Sequence, residues 1–267
     1  RKLLSNEASH PHASAMTSSL PARAAISHIL LDIEGTTCPF DFVKDTLFPY
    51  ATDQLESFLA AEARNPQVGQ LLRAIEHAWK HEDNQEALEL LASARLATNI
   101  PTALRLLPYL RWLIRCDKKL TPLKDLQGLI WERGYEAGHL CAPLFKDVPP
   151  ALQRWKRMGI QLGVYSSGSV KAQQLLYAHS IAGNLQPLFS NWFDTRIGAK
   201  QEASSYTAIA IQLKAEPKHI LFISDLIAEL QAASAAGMHP LLSDRPGNPS
   251  READTYPVAR SFAALYS

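Results

Sequence analysis

Four groups of polar side chains follow stretches of this sequence that are predicted to be buried strands or strand-exit loops. Two or three carboxylates with one open face bind a hard cation such as Mg²⁺ through oxygen. A lysine and a loop of hydroxyls and backbone amides bind phosphate oxygens. Together, these residue types predict magnesium-assisted chemistry on a phosphate ester. The groups are Asp32 with Glu34, Ser166 with Ser167, Lys200, and Asp225 with Glu229.

The two acidic residues after the first predicted strand have different expected roles. Asp32 directly follows the apolar run at 29–31. A carboxylate in this position, facing phosphate across Mg²⁺, is suited to act as a nucleophile and to form an aspartyl-phosphate. Glu34 points to the same side of an extended chain, so we expect it to act as acid and base for the leaving group and for water.

Each of these residues also has an ordinary structural interpretation. Asp32 suits a turn that contains glycine, and the loop that starts at Ser166 would cap the next helix, with Ser169 as the expected cap. Lys200 could be a solvated lysine. Glu229, one turn into a predicted helix, could be solvated or could support the metal ligands from outside. The recurrence of such groups after several strands favours the chemical interpretation.

The elements that must position these groups alternate between strand and helix patterns. Strands that alternate with helices form a parallel sheet with right-handed crossovers, and the carboxyl ends of its strands meet in one crevice. The predicted fold class is therefore α/β, with a Rossmann-like parallel sheet core. Strands are predicted at 29–31, 160–165, 192–194, 219–223 and 238–242, and helices at 148–158, 171–179, 206–213 and 226–236.

A long segment departs from this alternation. From about Phe42 to Gln127 the only glycine is Gly69, and apolar residues recur at helical spacing. This pattern predicts four to six helices and no strand. We expect an α/β core formed by residues 26–40 and 143–267, an inserted all-helical cap at 41–142, and a disordered N-terminal tail at 1–25.

Bulk composition limits the possible functions. The 267 residues include 27 Lys and Arg against 26 Asp and Glu, and a net charge of +1 argues against a nucleic-acid partner. The apolar runs are too short to cross a bilayer. The three cysteines lack a CxxC spacing, which argues against a disulfide scaffold. We therefore expect a cytoplasmic protein without nucleic-acid or membrane partners.

The first residues lack the continuous apolar core of a secretion signal. The first methionine is Met16. We expect the natural start there, with the earlier residues as an upstream extension, and a transit peptide is the alternative.

Four short motifs stand in a definite order along the chain. They are DIEGTT at 32–37, Ser166, Lys200, and SDLIAE at 224–229. In order and spacing they resemble the four motifs of the haloacid-dehalogenase-like phosphohydrolases. The helical insert also lies where that superfamily places a cap. The resemblance extends from about residue 26 to residue 266 and implies a HAD-like fold.

One departure narrows the resemblance, because most phosphatases of the superfamily have Asp where this chain has Glu34. Further segments are similar to one branch, the bifunctional enolase–phosphatases of methionine salvage, or acireductone synthases. The resemblance implies the substrate 2,3-diketo-5-methylthiopentyl-1-phosphate, which is enolised and then dephosphorylated to 1,2-dihydroxy-3-keto-5-methylthiopentene. The further segments are WERGYEAGHL (131–140), VYSSGSVKAQQLL (164–176), FDTRIGAK (193–200) and RPGN (245–248).

The resemblance also assigns expected ligands. It implies one Mg²⁺ per subunit, and we expect a monomer that takes a small-molecule phosphate ester. Glu34 reaches one methylene further than Asp, and our hypothesis is that this reach suits a proton shuttle in the enolase step. The expected metal residues are Asp32, Glu34 and Asp225, and the expected substrate contacts are Ser166, Ser167 and Lys200.

Two other functions remain open from the residues. The first is another reaction of the superfamily, such as a general phosphatase, a mutase or a dehalogenase. The second is a phospho-switch, because receiver domains also combine Asp, a hydroxyl and Lys on a parallel sheet. His139, between the insert and the core, is a candidate for a hinge or a substrate contact.

Overall fold

The computed structural model describes residues 20–62, 64–249 and 256–267. Its strands are β1 (His28–Leu31), β2 (Gln161–Tyr165), β3 (Asn191–Phe193), β4 (Ile220–Ser224), β5 (His239–Ser243) and β6 (Val258–Ala259). They form one sheet in the order β3-β2-β1-β4-β5-β6. Every neighbouring pair is parallel, as the alternation of strands and helices predicted.

The centre of the sheet is apolar on both faces. All residues of β4 are buried, and Ile29, Leu30 and Leu31 of β1 are completely buried. Such strands are stable where other elements cover both faces of the sheet. Leu31 pairs with Val164 of β2 and with Ile223 of β4. Three strands therefore end at the same level, and the polar residues that follow them are brought to one edge.

The helices fall into two sets. Seven α-helices of the described chain lie between β1 and β2. The first six make up the insert, and the seventh alternates with strands β2 to β5 together with the three later helices. A short π-helical turn (Val43–Leu47) leads into the first set. The first set is α1 (Phe48–Ala61), α2 (Pro66–Lys80), α3 (Gln85–Leu96), α4 (Thr102–Arg105), α5 (Leu107–Arg115) and α6 (Thr121–Glu136), and the second is α7 (Val148–Arg157), α8 (Val170–Ala178), α9 (Ala203–Leu213) and α10 (Ile227–Ala235).

The predicted fold class is confirmed, with five strands and the helices of the core found within a few residues of their predicted positions. Strand β6 was not predicted, because two residues give no periodic pattern and its pairing with β5 depends on tertiary contacts. Of the predicted tail, residues 1–19 lie outside the described chain, and Arg23–Ala25 forms a 3₁₀ turn. The boundaries 26–40, 41–142 and 143–267 stay predictions.

The helical insert has an aromatic centre of its own. Trp79 of α2 stacks on Tyr109 of α5 at a centroid distance of 4.5 Å. Trp112, also on α5, lies 5.6 Å from Tyr109. Each indole N–H has an acceptor, since Trp79 donates to Ala87 O (2.8 Å) and Trp112 to Glu86 Oε2 (3.0 Å). Because both indole N–H groups are hydrogen-bonded, the two tryptophans bury a large apolar area without leaving a donor unpaired.

Helix α6 connects the insert to the sheet domain. Its polar residues reach three places on the core, all near the ends of β2 and β3. These contacts place α6 across the edge of the sheet where the predicted site residues gather. They are Lys124 Nζ to Ser167 O (3.3 Å), Glu132 to Lys171 (2.5 Å) and Asp125 to Arg196 (3.4 Å).

Among the described residues, no helix combines the length and the apolar composition needed to cross a bilayer.

Candidate active site

The deepest part of the site is an ion-pair network around one buried lysine. Lys200 Nζ lies 2.6 Å from Asp32 Oδ1 and 2.7 Å from Glu229 Oε2. All three residues are buried, so their charges interact with little screening by water. Burial alone would lower the pKa of Lys200, but the two carboxylates raise it above its usual range. Lys200 is therefore a permanent cation beside Asp32.

Hydrogen bonds from neighbouring elements hold this network in place. The hydroxyl of Tyr206 in α9 donates to Lys200 O (2.7 Å). Ser224, at the end of β4, donates from Oγ to Glu229 Oε2 (2.8 Å) and accepts from Leu226 N (3.1 Å). Burial, and then the charge of Asp32, raises the pKa of Glu229. The interpretation of Glu229 as a solvated residue is thus wrong, because its carboxylate is buried against Lys200.

Glu34 lies apart from this network and faces a cavity between the sheet and the insert. Burial raises the pKa of Glu34 to about 7. Burial is the largest cause of this net shift in the pKa; the charges of Asp32 and Asp225 contribute to it, and Lys200 opposes it. A carboxyl group with a pKa near neutrality can both donate and accept a proton. This is the property that the predicted acid–base role of Glu34 requires.

A tight turn at Gly35 brings Asp225 against the first motif. Gly35 has a φ of +65°, a conformation that favours glycine. A Cβ at this position would lie 2.8 Å from Asp225 Oδ2 and 2.7 Å from Asn248 Oδ1. The amide nitrogen of Asn248 donates to Gly35 O (3.0 Å) and to Ser243 O (3.2 Å). The turn therefore gathers oxygen atoms from three separate segments.

The donor atoms at this turn suit a hard divalent cation. Asp32 and Asp225 are close enough to Glu34 to raise its pKa. Asn248 Oδ1 is buried and has no hydrogen-bond partner among the described residues. Carboxylate and amide oxygens are the ligands that Mg²⁺ takes in proteins. No three His, Cys, Asp or Glu side chains of the described chain form a ready metal cluster, so the fit depends on the types of donor atom.

The loop after β2 presents the two predicted serines. Ser166 is buried, and its Oγ accepts from Gly168 N (3.4 Å). Ser167 is exposed towards the cavity. Ser169 caps α8 by accepting from Ala172 N (3.3 Å), which confirms the cap prediction. Because a separate residue caps the helix, the hydroxyls of Ser166 and Ser167 are not needed for that purpose.

The cavity that Glu34 faces has a volume of about 500 Å³. Its core side carries the carboxyl group of Glu34 and the serine loop, and its insert side is largely apolar with a rim of lysines. Asp32, Lys200 and Asp225 are not part of its lining. The uncharged insert residues that line the cavity include Val43, Leu47, Phe48, Leu113, Leu123, Gln127 and Trp131.

The structure thus brings the predicted site residues to one edge of the sheet, while their individual roles stay predictions. His139 lies elsewhere: it is exposed, its Nδ1 is 3.2 Å from the hydroxyl of Tyr50, and it does not line the cavity. Cys38 has no exposed surface, and burial raises the pKa of its thiol. Such a thiol is not a nucleophile.

Three residues in and around the site had no role assigned from the sequence, although two of them belong to the RPGN segment at 245–248. Gln127 lines the cavity, Asn248 contacts the Gly35 turn, and Arg245 donates from Nε to Thr36 O (3.1 Å). A signal for Gln127 was available, because it interrupts an apolar stripe of α6 at a spacing of four residues. Asn248 and Arg245 belong to a segment whose position depends on long-range packing, so local sequence gave no signal for their contacts.

The fold and the site together match one class of enzymes. The sequence profile described as haloacid dehalogenase-like hydrolase matches residues 26–237. CbbY from Rhodobacter sphaeroides superimposes with a TM-score of 0.55 at 17% identity over 90% of this chain and 96% of that chain, and so shares the fold. The class of this protein is therefore that of the haloacid dehalogenase-like hydrolases.

Closer relatives narrow the class. The enolase-phosphatase E1 of Synechococcus sp. strain RCC307 is 51% identical over 233 residues, covering 87% of this chain and 91% of the relative. That of Synechococcus elongatus is 45% identical over 246 residues, covering 92% and 100%. The UTR4 protein of Saccharomyces cerevisiae has a TM-score of 0.71 at 34% identity, over 90% of this chain and 100% of that chain. The chain belongs to the enolase-phosphatase E1 family.

Proposed function

We propose that the protein catalyses two successive steps on 2,3-diketo-5-methylthiopentyl-1-phosphate in methionine salvage. It first enolises the diketone and then releases phosphate, which leaves 1,2-dihydroxy-3-keto-5-methylthiopentene. The observation that carries this proposal is the contrast between two carboxyl groups. Asp32 is ion-paired to Lys200, whereas Glu34 faces the cavity with a pKa raised to about 7 by burial.

In the phosphatase step, Asp32 is the proposed nucleophile. One carboxylate oxygen of Asp32 forms a bond to phosphorus while the bond from phosphorus to the ester oxygen breaks. The departing oxygen takes a proton from Glu34, and water, deprotonated by Glu34, then releases phosphate from Asp32. Lys200, ion-paired to Asp32, binds phosphate oxygens, and the loop at Ser166 and Ser167 supplies further donors.

In the enolase step, a proton must leave the carbon next to a carbonyl group. Glu34 is the proposed base, because its neutral-range pKa lets it accept that proton and return it to an oxygen atom. The cavity shields the reacting carbon from bulk water, which strengthens the electrostatic interactions inside it. The same carboxyl group thus serves both steps.

The proposed cofactor is one Mg²⁺ per subunit, held by Asp32, Glu34 and Asp225, with Glu34 contributing its main-chain oxygen so that its carboxyl group stays free to move protons. When bound, it supplies positive charge to an enediolate oxygen and to the phosphoryl group. Asp225→Asn replaces a charged ligand by a neutral one, so we expect a several-fold rise in the magnesium concentration needed for half-maximal activity. Titrating phosphate release with MgCl₂ measures this, and an unchanged magnesium requirement would remove Asp225 from the metal site.

We also propose that the enzyme is a cytoplasmic monomer. Every proposed site residue belongs to one chain, and the three cysteines are free thiols, as is usual in a reducing compartment. Gel filtration coupled to light scattering tests the monomer, and a dimer mass would reject it.

The central experiment supplies the diketo phosphate with MgCl₂ and follows the enol absorbance and free phosphate in the same reaction. We expect the enol signal to rise before phosphate in the wild-type enzyme, and Asp32→Asn to release no phosphate. Phosphate without an enol signal would favour a plain phosphatase. Stable phosphorylation of Asp32 without turnover would favour a phospho-switch.

A further inference from the structure

One buried side chain in the cavity has no partner among the residues that the structure describes. Only 5% of the surface of Gln127 is exposed, and its side chain makes no hydrogen bond or ion pair with any residue that the structure describes. Gln127 also lines the cavity that Glu34, Ser166 and Ser167 face. An amide carries two donors and one acceptor oxygen. The amide atoms of Gln127 are not among the fully enclosed unpartnered atoms of the described residues, so they open into the cavity, where a bound molecule can pair with them.

The neighbours of Gln127 on α6 show that its side chain lies on the face of the helix that lines the cavity. Leu123 and Trp131 lie one turn before and one turn after it on the same face of the helix, and both line the cavity. Trp131 donates its indole N–H to Leu47 O (2.8 Å), so the ring presents an apolar surface. Among the described lining residues of the insert, Gln127 is the one with an uncharged amide or hydroxyl side chain.

A hydrogen bond connects α6 to the loop after β2, which is the proposed phosphate-binding part of the site. Lys124, three residues before Gln127, donates to Ser167 O (3.3 Å) in the loop proposed to hold phosphate. The wall beyond Gln127 is apolar and includes Leu47, Leu113 and Trp131. A bound molecule that places its phosphate at the serine loop would therefore pass Gln127 before it reaches the apolar wall.

On the basis of the proposed function, we propose that Gln127 is the residue by which the insert recognises the adjacent carbonyl groups of the substrate. Its amide donates a hydrogen bond to one carbonyl oxygen and so orients the carbon that loses the proton. The apolar wall receives the methylthio end. Gln127 is then a specificity-determining residue, since it distinguishes a diketo phosphate from phosphate esters without carbonyls.

The substitution Gln127→Met tests this proposal, because methionine keeps the length of the side chain and removes the amide. We measure kcat/KM for the diketo phosphate and the inhibition constant of 5-methylthiopentyl phosphate, which has the same two ends and no carbonyl. We expect kcat/KM to fall about 10- to 100-fold, with the inhibition constant within twofold of the wild-type value. Gln70→Met, at an exposed position of α2 outside the cavity, should leave both unchanged.

Several outcomes would overturn the proposal. An unchanged kcat/KM for the Gln127→Met variant would mean that water alone satisfies the amide. An equal loss in kcat/KM and in inhibitor binding would mean general damage to the cavity. Because the amide lacks a protein partner, the melting temperature of the variant should equal or exceed that of the wild type; a lower one would show a structural role. A wild-type enzyme that forms no enol would instead reject the proposed function itself.

Discussion

At the scale of single residues, the site is governed by charge compensation in a buried setting. Lys200 lies between Asp32 and Glu229 at 2.6 and 2.7 Å. Two buried carboxylates without that ammonium would repel each other in a medium of low dielectric. Lys200 therefore compensates the charges of both carboxylates and makes the burial of Glu229 beside Asp32 tolerable.

Replacing Lys200 by Met should destabilise the fold as well as abolish phosphate release. Removing one member of a buried ion pair leaves an uncompensated charge, so we expect the free energy of unfolding to fall by about 3 kcal/mol. Lys218→Met is the matched control, since Lys218 pairs with Glu216 at 2.6 Å on the exposed surface, and it should have no measurable effect. Urea denaturation of both variants measures the difference, and equal effects would contradict this account.

Shortening Glu34 separates its two proposed roles. Glu34→Asp keeps the charge and withdraws the carboxyl by one methylene. We expect enol formation to fall about 10- to 100-fold and phosphate release from a preformed enol phosphate to fall much less, because proton transfer depends steeply on distance. Separate assays of the two steps measure this. An equal loss in both would show that the length of Glu34 has no special role in enolisation.

At the scale of elements, the sequence predicted what local patterns encode. The apolar runs of β1 and β4 and the Ser169 cap of α8 are local signals, and all were found where expected. The burial of Glu229 against Lys200 was not, because their contact joins residues far apart in the chain. The roles of Asn248 and Gln127 were not predicted for a similar reason. The RPGN segment and the interrupted apolar stripe of α6 mark their positions, but the sequence does not show that their amide oxygen or side chain lacks a partner among the described residues.

The tight turn after β1 should be sensitive to the size of the residue at position 35. Gly35→Ala adds a Cβ that would lie 2.8 Å from Asp225 Oδ2 and 2.7 Å from Asn248 Oδ1, in a backbone of φ +65°. Both oxygen atoms must move, so we expect activity to fall more than tenfold and the magnesium requirement to rise. Phosphate release at varied MgCl₂ measures both effects.

Gly138→Ala is the matched control for that change. Gly138 has a φ of +75°, but a Cβ there would meet no atom within 4 Å. The free energy of unfolding of the Gly138→Ala variant should therefore fall only by the cost of backbone strain, about 1 kcal/mol. Its activity should stay close to the wild-type value. Equal losses of activity in the two variants would assign the effect at Gly35 to strain and not to the displaced oxygens.

At the scale of the whole molecule, the insert and the sheet domain meet through α6, which carries both the polar contacts to the core and the lining of the cavity. The two ion pairs, Glu132 with Lys171 and Asp125 with Arg196, are partly exposed, and such pairs contribute little to stability. The insert has its own aromatic centre around Tyr109. Buried apolar residues of the insert and of the sheet domain nevertheless belong to one continuous cluster, so apolar packing, and not these ion pairs, holds the insert over the site.

The other long-range link is a half-buried carboxylate that connects three distant segments. Asp147 Oδ2 accepts from Phe262 N (2.6 Å), Arg245 Nη1 (2.8 Å) and Ser261 Oγ (3.2 Å). Arg245 also donates to Thr36 O (3.1 Å), which belongs to the first motif. The carboxylate therefore connects the start of α7, the C-terminal segment and the site turn.

This link predicts a pH dependence of stability. Burial alone would raise the pKa of Asp147, but the Phe262 amide and the Arg245 guanidinium lower it below its usual value. The ionised form is thus favoured in the folded state, so its contribution is complete above the unfolded-state pKa of about 3.9. It is lost as the pH falls through the lower folded-state pKa. Asp147→Asn should cost about 2 kcal/mol at pH 7, and this difference should shrink at and below pH 3.5.

Urea denaturation of the wild type and the Asp147→Asn variant at pH 7 and in this acidic range measures the difference. Asp244→Asn is the matched control, because Asp244 pairs with Arg260 at 3.0 Å in a largely exposed setting, where the effect should be much smaller. A cost for Asp147→Asn that is independent of pH would mean that shape and not charge holds the three segments together. A cost no larger than that of Asp244→Asn would mean that the sheet and its helices hold the C-terminal segment without this carboxylate.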